Sequence, residues 1–156
     1  MANSGLEGYA ECIDAFLSSG DSGVDCEEKK KILSGMFLES RVAVIYGSAG
    51  VGKSTLINHV ARLFNDEDKI FLAQTNSAVN NLKRRVKAEN CDFSTITSFK
   101  NRDIFGSTSC HLLVIDECST VSNTDMVEIL RKAEFKAILL VGDTYQISSI
   151  RFGNWF

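Results

Sequence analysis

Hydrophobic and polar residues along this chain follow two spacings, one typical of buried strands and one typical of helices. Short, almost continuous apolar runs occur at residues 42–46, 69–73, 111–116 and 137–141. Such runs are typical of strands buried on both faces of a sheet. Between the runs, apolar residues recur every three or four positions, as on helices with one buried face. The pattern therefore predicts strands that alternate with helices.

This alternation predicts an α/β fold, because consecutive parallel strands need a helical crossover between them. The predicted helices span residues 6–17, 26–38, 53–63, 77–87 and 122–133, and a short extended piece at 92–97 precedes a polar loop. In parallel sheets, ligands bind at the carboxyl ends of the strands. The polar residues that follow each strand are therefore the candidates for ligand binding and catalysis.

A glycine-rich loop follows the first predicted strand and precedes a helix. Residues 47–55 read Gly-Ser-Ala-Gly-Val-Gly-Lys-Ser-Thr. In this context, backbone N–H groups and the helix N-terminus converge on phosphate oxygens. We expect Lys53 to reach the outer phosphates and Ser54 to bind Mg²⁺. The loop residues predicted to contact a nucleotide are Gly47, Ser48, Ala49, Gly50, Val51, Gly52, Lys53 and Ser54.

Two adjacent carboxylates end the apolar run at 111–116. Asp116 is expected to hold Mg²⁺, directly or through water. Glu117 is suited to accept a proton from an attacking water or to orient it. The pair favours hydrolysis over phosphate transfer to a second substrate. The alternative is a strand-terminal turn with two solvated acids.

Two other strand ends carry weaker signals. Gln146, after the last strand, has an amide that would hydrogen-bond a γ-phosphate, although Gly142-Asp143 is also an ordinary turn dipeptide. The turn at residues 74–77 is rich in hydroxyl and amide groups and opens a helix, which makes it a candidate seat for a nucleic-acid phosphate. That helix carries Lys83, Arg84, Arg85 and Lys87. Because these charges spread around the helix, a solvated face is the favoured interpretation.

Composition indicates one globular domain with a mildly basic body. The chain has 156 residues, of which 44% are hydrophobic and 24% charged, and its net charge is −3. Residues 1–28 carry seven acids and no Lys or Arg, so the remainder holds all 17 basic residues. A weakly basic body suits an anionic ligand but is not by itself a nucleic-acid signature.

Targeting signals and cysteine usage point to the cytoplasm. No apolar run approaches the roughly 20 residues of a membrane span, and no signal peptide is visible. The five cysteines form no CxxC pair, and reduced thiols in a cytoplasmic compartment are the simplest explanation. A metal site built from Cys110, His111 and Cys118 is a less favoured alternative, because metal ligands usually occur in closely spaced pairs.

Together, these motifs resemble those of the first motor domain of superfamily 1 helicases, particularly the RecD-like branch. GSAGVGKST is similar to helicase motif I and AQTNSAVNNLKRR to motif Ia. STITSFK is similar to the next segment that contacts single-stranded nucleic acid, VIDECSTVS to motif II and LLVGDTYQISSI to motif III. The resemblance runs from about residue 42 to the C-terminus. Motif I is widespread, but five motifs in this order are far more specific. The implied fold is a RecA-like P-loop NTPase, with a mostly parallel sheet flanked by helices on both faces.

The resemblance also implies cofactors, a partner and residue roles. ATP and Mg²⁺ are the implied cofactors, with Thr55 helping at the phosphates, and single-stranded nucleic acid is the partner, DNA in preference to RNA. The implied catalytic residues are Lys53, Glu117 and Gln146, and the metal ligands are Ser54 and Asp116. The implied nucleic-acid track is Thr75, Asn76, Thr97, Ser98 and Phe99. The Phe99 ring is expected either to stack on a base or to be a core aromatic.

Two departures from the family pattern limit this interpretation. The helix at 26–38 lacks the glutamine with which the family reads adenine, so adenine specificity is not assured. The chain ends at Phe156 before any second motor domain, so we expect a domain excised from a longer protein, slow to hydrolyse ATP alone. We divide it into an acidic helix and linker (1–24) and an ATP-binding domain (25–156).

Three other functions are weighed against the helicase-type motor. The first is a nucleotide-gated regulatory ATPase switch that does not translocate on nucleic acid. The second is a small-molecule kinase, which Glu117 and the segment at 142–146 disfavour. The third is a GTPase, which the missing Asn-Lys-x-Asp segment disfavours.

Overall fold

The computed structural model describes residues 5–20, 22–48, 50–103 and 109–143. Its centre is a five-stranded sheet, and every predicted strand contributes to it. The strands are β1 (Val42–Tyr46), β2 (Lys69–Ala73), β3 (Cys91–Thr95), β4 (Ser109–Ile115) and β5 (Glu134–Gly142). The order across the sheet is β1-β5-β4-β2-β3, and all four pairings are parallel. The predicted parallel α/β architecture is confirmed.

Helices cover both faces of the sheet. They are α1 (Tyr9–Ser18), α2 (Glu27–Gly35), α3 (Lys53–Leu63), α4 (Asn76–Arg85), α5 (Ile96–Lys100) and α6 (Asn123–Lys132). Apolar side chains of α1 to α4 pack on one face, and those of α5 and α6 pack on the other. A 3₁₀ turn at Cys118–Thr120 precedes α6. Among the described residues, no helix combines the length and apolar character needed to cross a membrane.

Several predicted boundaries differ from the structure because local polar bonds decide them. A helix occupies 96–100, where the end of an extended piece and the start of a polar loop were predicted, since Thr95 Oγ1 caps it by accepting from Ser98 N at 3.1 Å. Helix α4 begins at Asn76, one residue early, because Thr75 caps it in the same way. Helix α2 begins at Glu27, one residue late, after an N-cap residue, Cys26, whose side chain makes no capping hydrogen bond, and the preceding Asp25 carboxylate pairs with Lys29 at 3.0 Å.

The acidic N-terminal helix packs into the main core. Tyr9 and Ile13 of α1 are buried in the same cluster as Leu33 and Phe37. The Tyr9 ring meets the Phe37 ring edge-on, with centroids 5.4 Å apart, and its hydroxyl donates to the Leu33 carbonyl. Tyr9 also lies against Phe64 at the end of α3. Interior packing is therefore continuous from α1 to the helix that follows the glycine loop.

A buried lysine fixes the turn between α3 and β2. Lys69 is 1% exposed, and its Nζ donates to the carbonyls of Phe64 at 2.6 Å, Asn65 at 3.0 Å and Glu67 at 2.6 Å. These carbonyls lie just past the end of α3, where backbone oxygens lack helical partners. Burial lowers the pKa of Lys69. The ammonium thus anchors the far end of α3, whose first turn lies at the candidate site.

Candidate nucleotide-binding site

The site lies where β1, β5 and β4 end, at one edge of the sheet. Because β5 separates β1 from β4, the glycine loop and the two carboxylates face each other across the end of β5. They enclose a cleft of about 450 Å³. Its lining residues are Gly50, Gly52, Lys53, Ser54, Thr55, Arg85, Asp116, Glu117, Gly142 and Asp143.

The glycine loop curls because two of its glycines adopt left-handed backbone angles. The φ angles are 88° at Gly50 and 90° at Gly52. A Cβ at either position would meet no atom within 4 Å. Glycine is therefore favoured at both positions by the positive φ angle and not by lack of space. Ser48 and the 60%-exposed Val51 complete the described part of the loop, while Ala49 lies outside it.

The start of α3 is available to an anion. Gly52 is its N-cap, and no side chain among the described residues accepts from the first-turn N–H groups. Those groups and the helix dipole favour negative charge at this point. Lys53 Nζ bridges the loop by donating to the carbonyls of Gly47 and Ser48, the latter at 3.0 Å. Loop, lysine and helix start therefore form one positively polarised cradle.

Asp116 is a partly buried carboxylate at the end of β4. Its N–H donates to the Leu72 carbonyl at 2.9 Å, which ties it to β2. Burial raises its pKa, while the Glu117 N–H and the charges of Lys53 and Arg85 act to lower it. Ser54 lines the same cleft. One carboxylate, one hydroxyl and phosphate oxygens are a donor set that Mg²⁺ accepts, so these residues fit the implied metal.

Glu117 adopts a backbone conformation that side-chain-bearing residues rarely take. Its angles are φ 52° and ψ 39°, in the left-handed region. The conformation is held by its carbonyl, which accepts from Thr120 N at 2.9 Å and from Thr120 Oγ1 at 2.8 Å. Its carboxylate is exposed and makes no hydrogen bond or ion pair with the described residues. Such strain costs about 1–3 kcal/mol and is common at functional sites.

The structure adds Arg85, which sequence reasoning had left on a solvated helix face. Its Nη1 donates to Ser54 Oγ at 2.6 Å, and its side chain lines the cleft. Lys83 and Arg84 are exposed and have no such partner in the described part of the chain. A run of charges cannot reveal which of its members faces the neighbouring helix.

The predicted nucleic-acid residues, except Phe99, form an exposed polar edge beside the cleft. Thr75 and Asn76 lie at the start of α4, and Thr97 and Ser98 lie in the first turn of α5. These helices follow the neighbouring strands β2 and β3. Gln74 Nε2 donates to the Thr120 carbonyl at 3.2 Å and links this edge to the segment after Glu117.

Phe99 does not belong to that edge. Its ring is 1% exposed and lies in the core cluster formed with β4 and α6. The base-stacking interpretation does not fit this position, and the alternative of a core aromatic does. Helical spacing explains the difference, since Phe99 lies on the face of α5 opposite Thr97.

Two other predicted sites need separate mention. Cys110 and Cys118 are buried near opposite ends of β4, and no cluster of three potential metal ligands occurs among the described residues. The alternative metal site is therefore not assembled. Gln146 lies outside the described residues, and its role stays a prediction.

Residues 27–156 match the family model described as an AAA domain. The matched region is most of the chain and includes the glycine loop, both carboxylates and Arg85. No curated protein matched the chain.

Proposed function

We propose, because this chain belongs to the AAA-domain family, that it is the ATP-binding motor domain of a superfamily 1 helicase-type ATPase. Membership and fold make it a P-loop nucleotide-binding and hydrolysing domain. The finer proposal is that hydrolysis of Mg-ATP to ADP and phosphate drives movement on single-stranded nucleic acid, DNA in preference to RNA. The observation that carries this proposal is the hydrogen bond between Gln74 and Thr120, which joins the polar edge to the segment after Glu117.

The cleft supplies the parts that hydrolysis needs. The loop N–H groups, the start of α3 and Lys53 bind the phosphate chain. Ser54 and Asp116 would hold Mg²⁺, which would supply positive charge to neutralise the phosphates. The exposed Glu117 carboxylate accepts a proton from the attacking water. Asp116 is partly buried whereas Glu117 is exposed to solvent, so the two acids suit separate tasks.

The polar edge supplies the contacts for a strand. Exposed hydroxyl and amide groups at two helix starts suit backbone phosphates, which carry no sequence information. Gln74 contacts Thr120, and Thr120 holds the Glu117 carbonyl. A nucleic-acid strand bound at this edge is therefore connected to Glu117, the proposed general base, through two successive hydrogen bonds.

The hydrolytic half is tested with Glu117→Gln. We expect wild-type protein to bind a fluorescent ATP analogue in the presence of Mg²⁺ and to release phosphate. The variant should bind with similar affinity and release phosphate at least about 100-fold more slowly, as loss of a general base predicts. Unchanged phosphate release would contradict the assignment of Glu117.

The nucleic-acid half is tested with two matched variants of α4. Asn76→Asp adds a negative charge at the polar edge, where the helix dipole tolerates it. Asn80→Asp makes the same change at an exposed position farther along the helix. Fluorescence anisotropy with labelled oligo-dT should show salt-dependent binding that the first variant weakens and the second retains. Mg-ATP binding without any oligonucleotide binding would favour the regulatory switch.

A further inference from the structure

The last residue of α4 sends its side chain into the nucleotide cleft. Arg85 Nη1 lies 2.6 Å from Ser54 Oγ, and its charge acts on Asp116 across the same cleft. The guanidinium is not what attaches α4 to the domain. Val79, Leu82 and Val86 are buried against the core for that purpose. The Lys87 N–H also donates to Asn58 Oδ1 at 2.7 Å and ties the end of α4 to α3.

The contact involves the one hydroxyl that the proposed function reserves for a metal. Ser54 Oγ has two acceptor lone pairs, and a guanidinium at hydrogen-bond distance competes for them. Two cations on one small oxygen also repel each other. When Ser54 serves as a metal ligand, Arg85 therefore has to take another acceptor.

The phosphates of a nucleotide are the acceptors that suit Arg85. A planar guanidinium binds phosphate through two parallel hydrogen bonds, which lysine does not do. Arg85 lines the same cleft as Lys53 and Thr55, so its guanidinium already borders the space in which a phosphate chain would lie.

We propose that Arg85 is a phosphate-binding residue that releases Ser54 and takes phosphate oxygens when Mg-nucleotide binds. This inference rests on the proposed function of the cleft and deepens it.

The test compares Arg85→Gln with Arg84→Gln, which removes the same charge one residue away. Affinities for Mg-ATP and Mg-ADP are measured by calorimetry, and melting temperatures are measured without nucleotide. We expect Arg85→Gln to weaken binding of both nucleotides by about 10- to 100-fold, the usual effect of losing charge-assisted bonds to phosphate. Arg84→Gln should stay within about twofold of wild type. Both variants should melt close to wild type, because Arg85 does not hold α4.

The remaining outcomes separate this inference from the function on which it rests. Equal nucleotide affinity in Arg85→Gln and wild type overturns the phosphate contact and leaves the proposed function standing. Tighter binding by Arg85→Gln also overturns it, since the guanidinium then only obstructs Ser54. Failure of both wild type and Arg84→Gln to bind Mg-ATP overturns the proposed function together with this inference.

Discussion

Replacement of Glu117 by asparagine separates the catalytic role of this residue from its backbone strain. The left-handed conformation at φ 52° costs a residue with an ordinary side chain about 1–2 kcal/mol. Asparagine adopts this region several times more readily than most residues. The Glu117 carboxylate makes no bond to the described residues, so its removal sacrifices no contact within that part of the chain. Glu117→Asn should therefore stabilise the fold while it removes the general base.

The expected gain is about 0.5–1 kcal/mol, since asparagine relieves only part of the strain. For a domain of this size, 1 kcal/mol corresponds to a shift of about 2–4 °C in melting temperature. Glu117→Gln is the matched control, because glutamine also lacks the carboxylate but keeps the conformational cost of glutamate. Phosphate release should fall at least about 100-fold in both variants.

The test measures the melting temperature by calorimetry and the rate of phosphate release for wild type, Glu117→Asn and Glu117→Gln. Glu117→Asn should melt about 1–4 °C above Glu117→Gln. If it melts at or below Glu117→Gln, the conformation at this position is not the source of strain. If it hydrolyses ATP at the wild-type rate, the carboxylate is not the base, whatever the melting temperature.

Three further predictions concern the framework of the site. Lys69→Met removes the donor of three hydrogen bonds, of which the one to Phe64 is buried and those to Asn65 and Glu67 are partly buried. This change should lower the free energy of unfolding by about 2–5 kcal/mol in urea titrations, and a loss below about 1 kcal/mol would contradict the anchoring role. Burial first, and then the charges of Lys29 and Arg62, lower the pKa of His59. The unfolded chain thus binds more protons below about pH 6.5, so stability should fall as pH drops below this value and His59→Leu should flatten that dependence. Ser122 Oγ caps α6 by accepting from Asp125 N at 3.0 Å. Ser122→Ala should cost about 1 kcal/mol, and no measurable cost would mean that the cap is dispensable.

The parts of the site that could be predicted are those whose chemistry is local in the chain. The glycine loop with Lys53 and Ser54 is contiguous, and its function depends only on the strand before it and the helix after it. Asp116 and Glu117 could likewise be located, because a buried strand points directly to the residues at its end. No long-range information is needed in either case.

The parts that could not be predicted depend on which elements become neighbours. Arg85 differs from Arg84 by one helical step of 100°, and only the packing of α4 on α3 decides which of them enters the cleft. Lys69 lies in a predicted strand, but its place in that run does not show that its ammonium donates to carbonyls freed by the end of α3. The left-handed backbone of Glu117 has no signal at all, because glutamate is not a residue that favours it.

The sheet order explains why these scattered residues form one site. With β5 inserted between them, β1 and β4 lie roughly 10 Å apart, twice the spacing of neighbouring strands. That width accommodates a phosphate group and a water between the glycine loop and Glu117. The end of β5 forms the floor, and a Cβ at Gly142 would lie 3.3 Å from Cys118 Sγ in the turn that carries Glu117. Any larger residue there pushes on the turn, so the absence of a side chain at Gly142 helps to fix the position of the proposed base.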